Sequence, residues 1–327
     1  MIRLGQIGIG HNHGDAKMLA ARKFPELFEI VGFAEEDERV FNERGGREAY
    51  VGLKRLSVEE LLNSCDAILV ETEVPLLTET AQKCVERGLH IHLDKPGDTD
   101  ISKYEKMLRT AQQNGCVVQL GYMYRYNNGI KRAFELYKSG ALGDITMINA
   151  EMSTFHGVEY KKWLTQFKGG IMYILGSHLV DIIVYLLGEP DKITSFLKHT
   201  NLDGVDFPDN NLAVLEYGST LARIFVSSVE VNGWGRRQLF ISGTKGSIDI
   251  KPIENSIVVN EAFVDTCPYC YKDSKTVNTD IADIPPSCRY DEMMKDFYDF
   301  VVNGKENPFS YDHELMVQRV INKIIEG

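Results

Sequence analysis

The chain has 327 residues, which is enough for two domains that each bury a hydrophobic core. Its 43% hydrophobic and 25% charged residues are typical of an ordinary folded protein, and its formal net charge of -11 argues against nucleic acid or an anionic membrane surface as the main partner. An anionic cofactor is not excluded, because phosphates are usually held by local backbone N–H groups.

Six cysteines and a start without a signal-peptide pattern predict a reducing compartment, the cytoplasm, with free thiols. The only long apolar segment, residues 171–188, contains Ser177, His178 and Asp181. An ionised aspartate in lipid costs roughly 2.5–3.5 kcal/mol even on insertion scales. We therefore predict that this segment is a buried helix and does not span a membrane.

The N-terminal residues predict a strand (2–9), a glycine turn and a helix (16–23). Gly8 permits a tight turn, and Gly10 lets the backbone approach a dinucleotide's pyrophosphate at the helix N-terminus. His13 stands where the dinucleotide-binding fingerprint has its third glycine, so the motif by itself is weak. The turn residues that we assign to cofactor binding are Gly8, Ile9, Gly10, His11 and Asn12.

An acidic cluster, residues 35–37, follows the second predicted strand, residues 28–34. A carboxylate at this position can accept both ribose hydroxyls of an adenosine, and it would repel a 2′-phosphate. Glu35 is therefore assigned to cofactor binding, and it favours NAD over NADP. The alternative is that the whole cluster is a solvated acidic face.

Helices and strands then alternate up to residue 121. Predicted helices are 58–64, 77–87 and 101–114, and predicted strands are 67–72, 90–93 and 117–121. This spacing indicates βαβ units and a parallel sheet. The strand at 90–93 leads into Asp94, Lys95 and Pro96, which puts an ammonium at the carboxyl edge of the sheet, where open α/β sheets bind ligands. The alternative is an ordinary surface lysine before a turn.

After residue 121 the pattern changes to consecutive strands. Hairpin turns at Gly218 and at residues 243–246 separate some of them. Strands without intervening helices predict an antiparallel sheet in a second, α+β domain. The predicted strands are 145–154, 192–199, 211–217, 220–231, 236–242, 247–250 and 256–259, and the predicted helices are 128–139, 171–187, 290–302 and 313–326.

Several motifs, in this order, resemble the Gfo/Idh/MocA family, named after glucose–fructose oxidoreductase, inositol dehydrogenase and a rhizopine-catabolism protein. The resemblance extends from residue 2 to residue 326. The motifs are Gly8-Ile-Gly10, Gly88-Leu-His90, Asp94-Lys95-Pro96, Gly121-Tyr-Met-Tyr-Arg125, Ser139-Gly-Ala-Leu-Gly143, Gly169-Gly170, Gly176-Ser-His178-Leu-Val-Asp181, Gly243-Thr-Lys-Gly246 and the closing helix with Phe297.

The resemblance implies an NAD(P)-dependent oxidoreductase acting on a CH–OH group of a sugar, cyclitol or related polyol. It implies a Rossmann-type nucleotide-binding domain, residues 1–121, with a parallel sheet. Residues 122–327 would be an α+β domain whose large, mostly antiparallel open sheet binds the substrate and joins subunits into a dimer or tetramer. NAD is the expected cofactor, NADP is less favoured, and a small molecule is the expected partner, with no nucleic acid and no membrane.

In such relatives the lysine of Glu-Lys-Pro lies near the nicotinamide and the reacting hydroxyl, and its peptide bond to proline is often cis. Lys95 matches that position, and Asp94 and Thr72 join the expected cofactor contacts. This sequence departs from the family pattern in replacing the usual glutamate by Asp94 and the common Thr-Pro-Asn by residues 72–74. The family's Asp-x-x-x-His becomes Ile174 and His178, so its carboxylate–imidazole relay is incomplete.

Oxidising a secondary alcohol needs a base for the O–H proton while hydride leaves the carbon. We predict Lys95, His178 and Asp181 as the catalytic residues. A histidine suits the role because its ordinary pKa is near 6.5, and Asp181 could accept from one ring nitrogen of His178. In one alternative, His178 is a buried histidine that this aspartate satisfies without chemistry. In another, Lys95 is the main acid/base, its pKa lowered by desolvation and by the positive cofactor ring.

The predicted substrate contacts are Tyr124, Arg125, His156, Trp163 and His178. A structural ion pair is the alternative for Arg125. Two His-x-His pairs, at 11/13 and 90/92, raise the question of a metal ion. Zinc would need further cysteine or acidic ligands at suitable positions, so no metal site is predicted. Cys267 and Cys270 form a C-x-x-C pair without the second pair of a structural zinc site, and we interpret them as incidental loop thiols.

Two other functions stay open beside a dehydrogenase. Some proteins of this fold keep NAD bound and use it transiently to cleave glycosidic bonds. A non-enzymatic NAD-binding sensor is the third hypothesis, and the missing carboxylate at Ile174 favours keeping it. Net formation of NADH from a polyol would separate the dehydrogenase from the other two.

Overall fold

The computed structural model describes residues 1–254, 257–265 and 276–327. They form two compact units, Met1–Met123 with Pro286–Gln318, and Tyr124–Pro285 with Arg319–Gly327. The predicted division at residue 121 put the whole C-terminal stretch in the second domain, whereas residues 286–318 group with the first unit. Residue 256, the start of a predicted strand, and the pair Cys267 and Cys270 lie outside the described residues.

The first unit contains a five-stranded sheet in which every neighbouring pair of strands is parallel. Its strands are β1 (Ile2–Ile7), β2 (Phe28–Ala34), β3 (Ala67–Val70), β4 (His90–Leu93) and β5 (Val118–Leu120). Their order across the sheet is β2-β1-β3-β4-β5. All four residues of β3 are buried, as expected for a parallel strand covered on both faces. The predicted parallel sheet is confirmed.

Five helices connect these strands, and side-chain caps begin three of them. They are α1 (Gly14–Arg22), α2 (Glu38–Arg44), α3 (Val58–Ser64), α4 (Leu77–Glu86) and α5 (Ile101–Gln113). Ser57 and Glu60 form a capping box at α3, and Asp100 caps α5. Helix α2 was not predicted. Asp37 begins it by accepting hydrogen bonds from two backbone N–H groups, so the acidic cluster after β2 is partly a helix cap.

The second unit contains an eight-stranded sheet that is antiparallel except where β6 runs parallel to β9. Its strands are β6 (Ile145–Glu151), β7 (Lys192–Lys198), β8 (Asn210–Tyr217), β9 (Thr220–Ser227), β10 (Gln238–Gly243), β11 (Gly246–Lys251), β12 (Val258–Phe263) and β13 (Val277–Thr279). Their order is β13-β12-β11-β10-β6-β9-β8-β7. The predicted mostly antiparallel sheet is confirmed. Buried residues alternate with more exposed ones along β8 and β9, so one face carries the core.

The predicted single helix over residues 171–187 is two segments, a π-helical turn (Met172–Gly176) and an α-helix. The wider π turn changes the angle between Ile174 and His178, which the sequence placed one α-helical turn apart. The remaining α-helices of the described residues are α6 (Asn128–Lys138), the unpredicted α7 (Val158–Leu164), α8 (Ser177–Leu187), α9 (Asp291–Val302) and α10 (Tyr311–Glu326). Among the described helices, none combines the length and apolar character needed to cross a bilayer.

Candidate functional site

The glycine turn after β1 packs directly against the end of β3. Gly8 has φ +81°, and a Cβ added to it would lie 2.5 Å from Thr72 Cα. A Cβ on Gly10 would lie 2.7 Å from Glu73 Cγ. Glycine is therefore required at position 8 both by its backbone conformation and by the close approach of the neighbouring backbone. The turn keeps its shape through backbone hydrogen bonds, including one from the His11 N–H to the Glu71 carbonyl.

A cavity of about 640 Å³ opens beside this turn, at the carboxyl ends of β1, β2 and β3. Gly8, Glu35 and Thr72 all line it. The Thr72 hydroxyl is buried and has no hydrogen-bond partner within the described ranges, so it can bond to a bound molecule. The remaining lining residues are Ile7, Ala34, Glu36, Asp37, Ser57, Val58, Glu59, Leu76, Glu79, Thr80 and Lys83.

Glu35 is held in place at this cavity by two backbone N–H groups. Its Oε2 accepts from Ile9 N–H and its Oε1 from Asp37 N–H, each at 2.9 Å. The cations nearby are paired with other carboxylates: Arg39 lies 3.3 Å from both Asp37 and Glu73. The cavity wall is therefore rich in carboxylates, which suits ribose hydroxyls better than a phosphate.

Five side chains meet where β1, β3 and β4 end: His11, His13, Lys17, Glu71 and Asp94, which we call the Asp94 cluster. Asp94 Oδ2 lies 2.9 Å from His11 Nδ1, 3.2 Å from His13 Nδ1 and 2.6 Å from Lys17 Nζ. Lys17 also donates to Glu71 Oε1 at 2.9 Å. Lys17, Glu71 and Asp94 are fully buried, and a quarter of the His13 side chain is exposed.

Burial and mutual charges set the protonation of this cluster. Burial lowers the pKa of His11, and it lowers the pKa of His13 to about 4. Burial opposes ionisation of Asp94, but His11, Lys17 and His13 outweigh it and hold the Asp94 pKa well below its ordinary value. The pKa of Glu71 is raised well above its ordinary value, because burial outweighs the attraction of Lys17. The two carboxylates therefore differ strongly in acidity.

Asp94 also determines the conformation of the turn that carries Lys95. Its Oδ1 accepts from the Lys95 N–H at 2.7 Å, and the Lys95–Pro96 peptide is cis, as the resemblance implied. Lys95 is 3% exposed. Asp94 is shorter than the family's usual glutamate, but its Oδ1 still contacts the turn, while its Oδ2 contacts His11, His13 and Lys17.

In the second unit, two contacts join four of the residues that the sequence singled out. Arg125 donates two hydrogen bonds to Asp181, at 2.9 and 2.6 Å. The Tyr124 ring packs edge-on against the His178 ring with centroids 4.8 Å apart. Arg237 donates to the Tyr124 hydroxyl at 3.2 Å. The ion-pair alternative for Arg125 is thus realised, while the predicted use of Asp181 to orient His178 stays a prediction.

His156 and Trp163 lie in a row of aromatic rings along α7. His156 stacks on Tyr160 with centroids 4.4 Å apart, and Tyr160 packs against Trp163 at 5.1 Å. Burial lowers the pKa of His156 to about 4 and raises the pKa of Tyr160 to about 12, so both rings are neutral at pH 7. A row of neutral, partly exposed rings is a surface on which the apolar face of a sugar ring can pack.

The structure thus gathers the predicted cofactor residues Gly8, Glu35 and Thr72 at one cavity, with Ile9 bonded to Glu35. The Asn12 side chain instead accepts from Arg44 at 3.2 Å. Sequence reasoning missed Lys17 and Glu71, which are bonded to each other in the Asp94 cluster, and it missed Tyr160, which packs between His156 and Trp163. One signal was available for Lys17, which lies one helical turn after His13 and therefore on the same helix face.

A glycine turn of this geometry, followed by a helix and set beside a cavity at the carboxyl edge of a parallel sheet, defines a dinucleotide-binding Rossmann fold. Residues 2–122 match the family profile described as an oxidoreductase family with an NAD-binding Rossmann fold. Residues 130–249 match the profile of the GFO/IDH/MocA C-terminal domain. The chain belongs to the Gfo/Idh/MocA family of oxidoreductases, and the family predicted from its motifs is confirmed.

Among curated proteins, the chain is 25% identical over 179 residues to scyllo-inositol 2-dehydrogenase (NADP(+)) IolW of Bacillus subtilis, covering 53% of this chain and 49% of that protein. It is 26% identical over 214 residues to 2,7-anhydro-N-acetylneuraminate hydratase of Escherichia coli, covering 59% of this chain and 54% of that protein. The chain thus spans about half the length of these relatives. The solved structure of UDP-N-acetylglucosamine 3-dehydrogenase from Acidithiobacillus ferrooxidans is similar in fold, with a TM-score of 0.80 at 17% identity over 99% of this chain and 96% of that one.

Proposed function

We propose that this protein is an NAD-dependent dehydrogenase that moves a hydride between the nicotinamide and a carbon of a sugar, cyclitol or related polyol. The observation that carries the proposal is the cavity beside the glycine turn, lined by Gly8, Glu35 and Thr72. When NAD is bound, its nicotinamide supplies the hydride acceptor. The chain's own residues must then bind the cofactor, orient the alcohol and remove its proton.

Glu35 supports the choice of NAD. Its two oxygens are fixed by backbone N–H groups, and each oxygen keeps a lone pair with which to accept from a ribose hydroxyl. A 2′-phosphate at the same place would face this carboxylate and the neighbouring Asp37, while Lys83, the cation that the structure shows in the cavity lining, is paired with Glu79. Relatives in this family include an NADP(+)-dependent enzyme, so the preference for NAD over NADP needs a test of its own.

Lys95 is the proposed acid/base. As the alcohol carbon gives up its hydride, a C=O bond forms and the hydroxyl proton passes to a neutral Lys95 amine. The hydrogen bond from its backbone N–H to Asp94 holds the turn, and the Lys95 side chain is almost completely buried. His178 and Asp181 keep the proton-handling roles that the sequence assigned them, as part of this proposal.

The proposed substrate contacts of the second unit are Tyr124, Arg125, His156, Trp163 and His178. The aromatic row along α7 supports a ring-shaped, polyhydroxylated substrate, because neutral rings can cover its C–H face while hydroxyls remain available for hydrogen bonds. Arg125 would act chiefly by holding its element in place, since its guanidinium is bonded to Asp181.

The proposal is tested by incubating the protein with NAD and a panel of cyclitols, aldoses and amino sugars while NADH absorbance is recorded. A substrate that gives NADH and an oxidised product in equal amounts supports it. If NAD binds in calorimetry and no compound yields NADH, while a panel of glycosides or anhydrosugars is converted, the dehydrogenase proposal is wrong.

A redox-neutral enzyme that uses bound NAD transiently is the second candidate. One relative is named a hydratase, and adding water involves no net oxidation. Ile174, a buried apolar residue at the family's usual aspartate position, also favours it. In that case the substrate would be converted to a product of the same overall oxidation state. No net NADH would form, and catalytic amounts of NAD would be sufficient.

We further propose a homo-oligomer formed through the eight-stranded sheet. The sheet face opposite its core exposes Met147 and Leu221, which are paired across β6 and β9, and it also exposes Phe196 on the edge strand β7. Exposed apolar patches of this kind commonly mark protein interfaces. Light scattering of the wild type and of Leu221→Lys tests this: the variant should shift toward monomer.

A further inference from the structure

We propose that His11, His13 and Asp94 form a binding site for one divalent transition-metal ion, a site that goes beyond the proposed function and shares His11 and Asp94 with the predicted cofactor contacts. One ligand atom of each of these residues lies within 4.8 Å of the others. Two of the distances are 2.9 Å (His11 Nδ1 to Asp94 Oδ2) and 3.2 Å (His13 Nδ1 to Asp94 Oδ2). Donor atoms about 2.1 Å from a tetrahedral zinc ion are about 3.4 Å apart, so these spacings are close to those of a filled site.

A separate observation also indicates a cation at this place. Glu71 Oε2 is fully buried and has no hydrogen-bond partner in the part of the chain that the structure describes. It lies 3.7 Å from His11 Nδ1, on the same side of the cluster. A metal ion bound to Oε2 would give this buried oxygen a partner.

The contacts of His11 Nδ1 also favour a metal ion at this place. Its Nδ1 lies 3.3 Å from the His13 backbone N–H, in geometry that makes Nδ1 the acceptor. A ring nitrogen has one in-plane lone pair, so an accepting Nδ1 carries no proton. An unprotonated Nδ1 would face Asp94 Oδ2 at 2.9 Å, an oxygen that already accepts from Lys17, and a metal ion bound to both atoms would replace this lone-pair contact.

Lys17 is the existing cation of the cluster, and it is compatible with the site. Its ammonium bridges Asp94 Oδ2 and Glu71 Oε1, at 2.6 and 2.9 Å. When a metal ion takes Asp94 Oδ2, the ammonium keeps its bond to Glu71.

The donor set determines the kind of ion. Two imidazole nitrogens and carboxylate oxygens suit Zn²⁺ or Co²⁺ better than Ca²⁺ or Mg²⁺, which take oxygen ligands. Sequence reasoning rejected a metal because the third ligand was missing. Asp94, distant in the chain, supplies it, and Glu71 can supply a fourth.

The test is calorimetric titration of chelator-treated protein with ZnCl₂, and visible absorption spectroscopy with CoCl₂. We expect one ion per chain and the intense d–d absorption of tetrahedral Co²⁺. His13→Gly, which restores the glycine of the dinucleotide fingerprint, should weaken Zn²⁺ binding by at least about tenfold, and His11→Ala should do the same. The matched control is His199→Ala, an exposed histidine paired with Asp206, which should bind like the wild type.

Circular dichroism and metal-free melting temperature establish that each variant is folded. Should both histidine variants unfold, Glu71→Gln keeps the shape of the side chain and should weaken Zn²⁺ binding by itself. Absence of stoichiometric binding to the wild type would overturn the proposal. Unchanged affinity in folded His11→Ala and His13→Gly would also overturn it, because the ion would then be bound elsewhere. Both results are measured as metal binding in the absence of NAD, whereas the dehydrogenase proposal is tested by NADH formation in the wild type.

Discussion

Arg125 donates to both carboxylate oxygens of Asp181, and the two side chains are only 3% and 2% exposed. This planar, two-bond pairing is the strongest form of an arginine–carboxylate contact. Its two members stand on different elements, the turn before α6 and helix α8. The pair therefore joins two residues for which the sequence predicted separate functions. Arg125 was predicted to bind the substrate, and Asp181 was predicted to orient His178.

Removing one charge of this pair should destabilise the protein strongly. Asp181→Asn removes the carboxylate that is bonded to a buried guanidinium, and breaking a buried ion pair in this way typically costs about 3–5 kcal/mol. Urea unfolding followed by circular dichroism measures this loss. The double variant Arg125→Met/Asp181→Leu should be less destabilised than the two single changes added together. Additive losses would show that the pair does not act as a unit.

Glu35 should determine the cofactor preference. The wild type should bind NAD at least about tenfold more tightly than NADP, since repulsion of roughly 1.4 kcal/mol between a carboxylate and the 2′-phosphate already gives that ratio. Glu35→Ser should narrow the ratio mainly by strengthening NADP binding. Calorimetry with both nucleotides measures the two affinities. Equal affinities in the wild type would remove Glu35 from the adenosine site.

Lys95→Ala should fold normally and lose most turnover on a verified substrate. A positioned acid/base group typically contributes about 10²–10⁴-fold to the rate. Lys95→Arg should restore little activity, because a guanidinium cannot release its proton at working pH. Steady-state kinetics and NAD calorimetry on the same samples separate turnover from cofactor binding. A near-normal kcat in the alanine variant would leave Lys95 with a structural role only.

Gly8→Ala should destabilise the protein by more than a left-handed backbone conformation alone explains, and it should also disturb the nucleotide site. Gly52 provides the matched control, because its φ of +78° is close to the +81° of Gly8 and a Cβ there meets nothing within 4 Å. Gly52→Ala should cost about 1–2 kcal/mol of stability and leave NAD affinity unchanged. Gly8→Ala should cost more and weaken NAD binding, because its Cβ collides with the Thr72 backbone. Similar effects of the two changes would contradict the close packing of the turn.

Buried His92 should make the protein sensitive to acid. Burial, with help from Lys17, lowers its pKa to about 3, and its Nδ1–H donates to Gln119 Oε1 at 2.8 Å. The unfolded chain, with an ordinary histidine pKa near 6.5, binds a proton that the folded protein does not. This contribution to stability is complete above about pH 6.5 and is lost as pH falls toward 3.

His92→Asn tests this contribution, because asparagine can donate to the same acceptor and does not titrate. Urea unfolding between pH 7 and pH 4 should show a shallower loss of stability in the variant, by up to about 1.4 kcal/mol per pH unit. Parallel pH profiles of variant and wild type would show that His92 is protonated equally in the folded and unfolded states.

The sequence by itself was sufficient for the architecture. Alternating helices and strands up to residue 121 indicated a parallel sheet, and strands separated by Gly218 and residues 243–246 indicated an antiparallel one. These patterns are local, because periodicity and turn residues depend on a few neighbouring positions. Helices α2 and α7, both seven residues long, were missed because a segment of two turns leaves little periodicity to detect.

The contacts between distant residues were decided only by the tertiary structure. Glu71 and Asp94 stand at the ends of different strands, and only the parallel pairing of β3 with β4 brings them to the same lysine. The pairing of Arg125 with Asp181 spans 56 residues and is equally invisible in the local pattern. The chain predicts which residues can ionise. Which of them share a proton, an ion pair or a metal ion depends on burial and distance, and folding alone determines both.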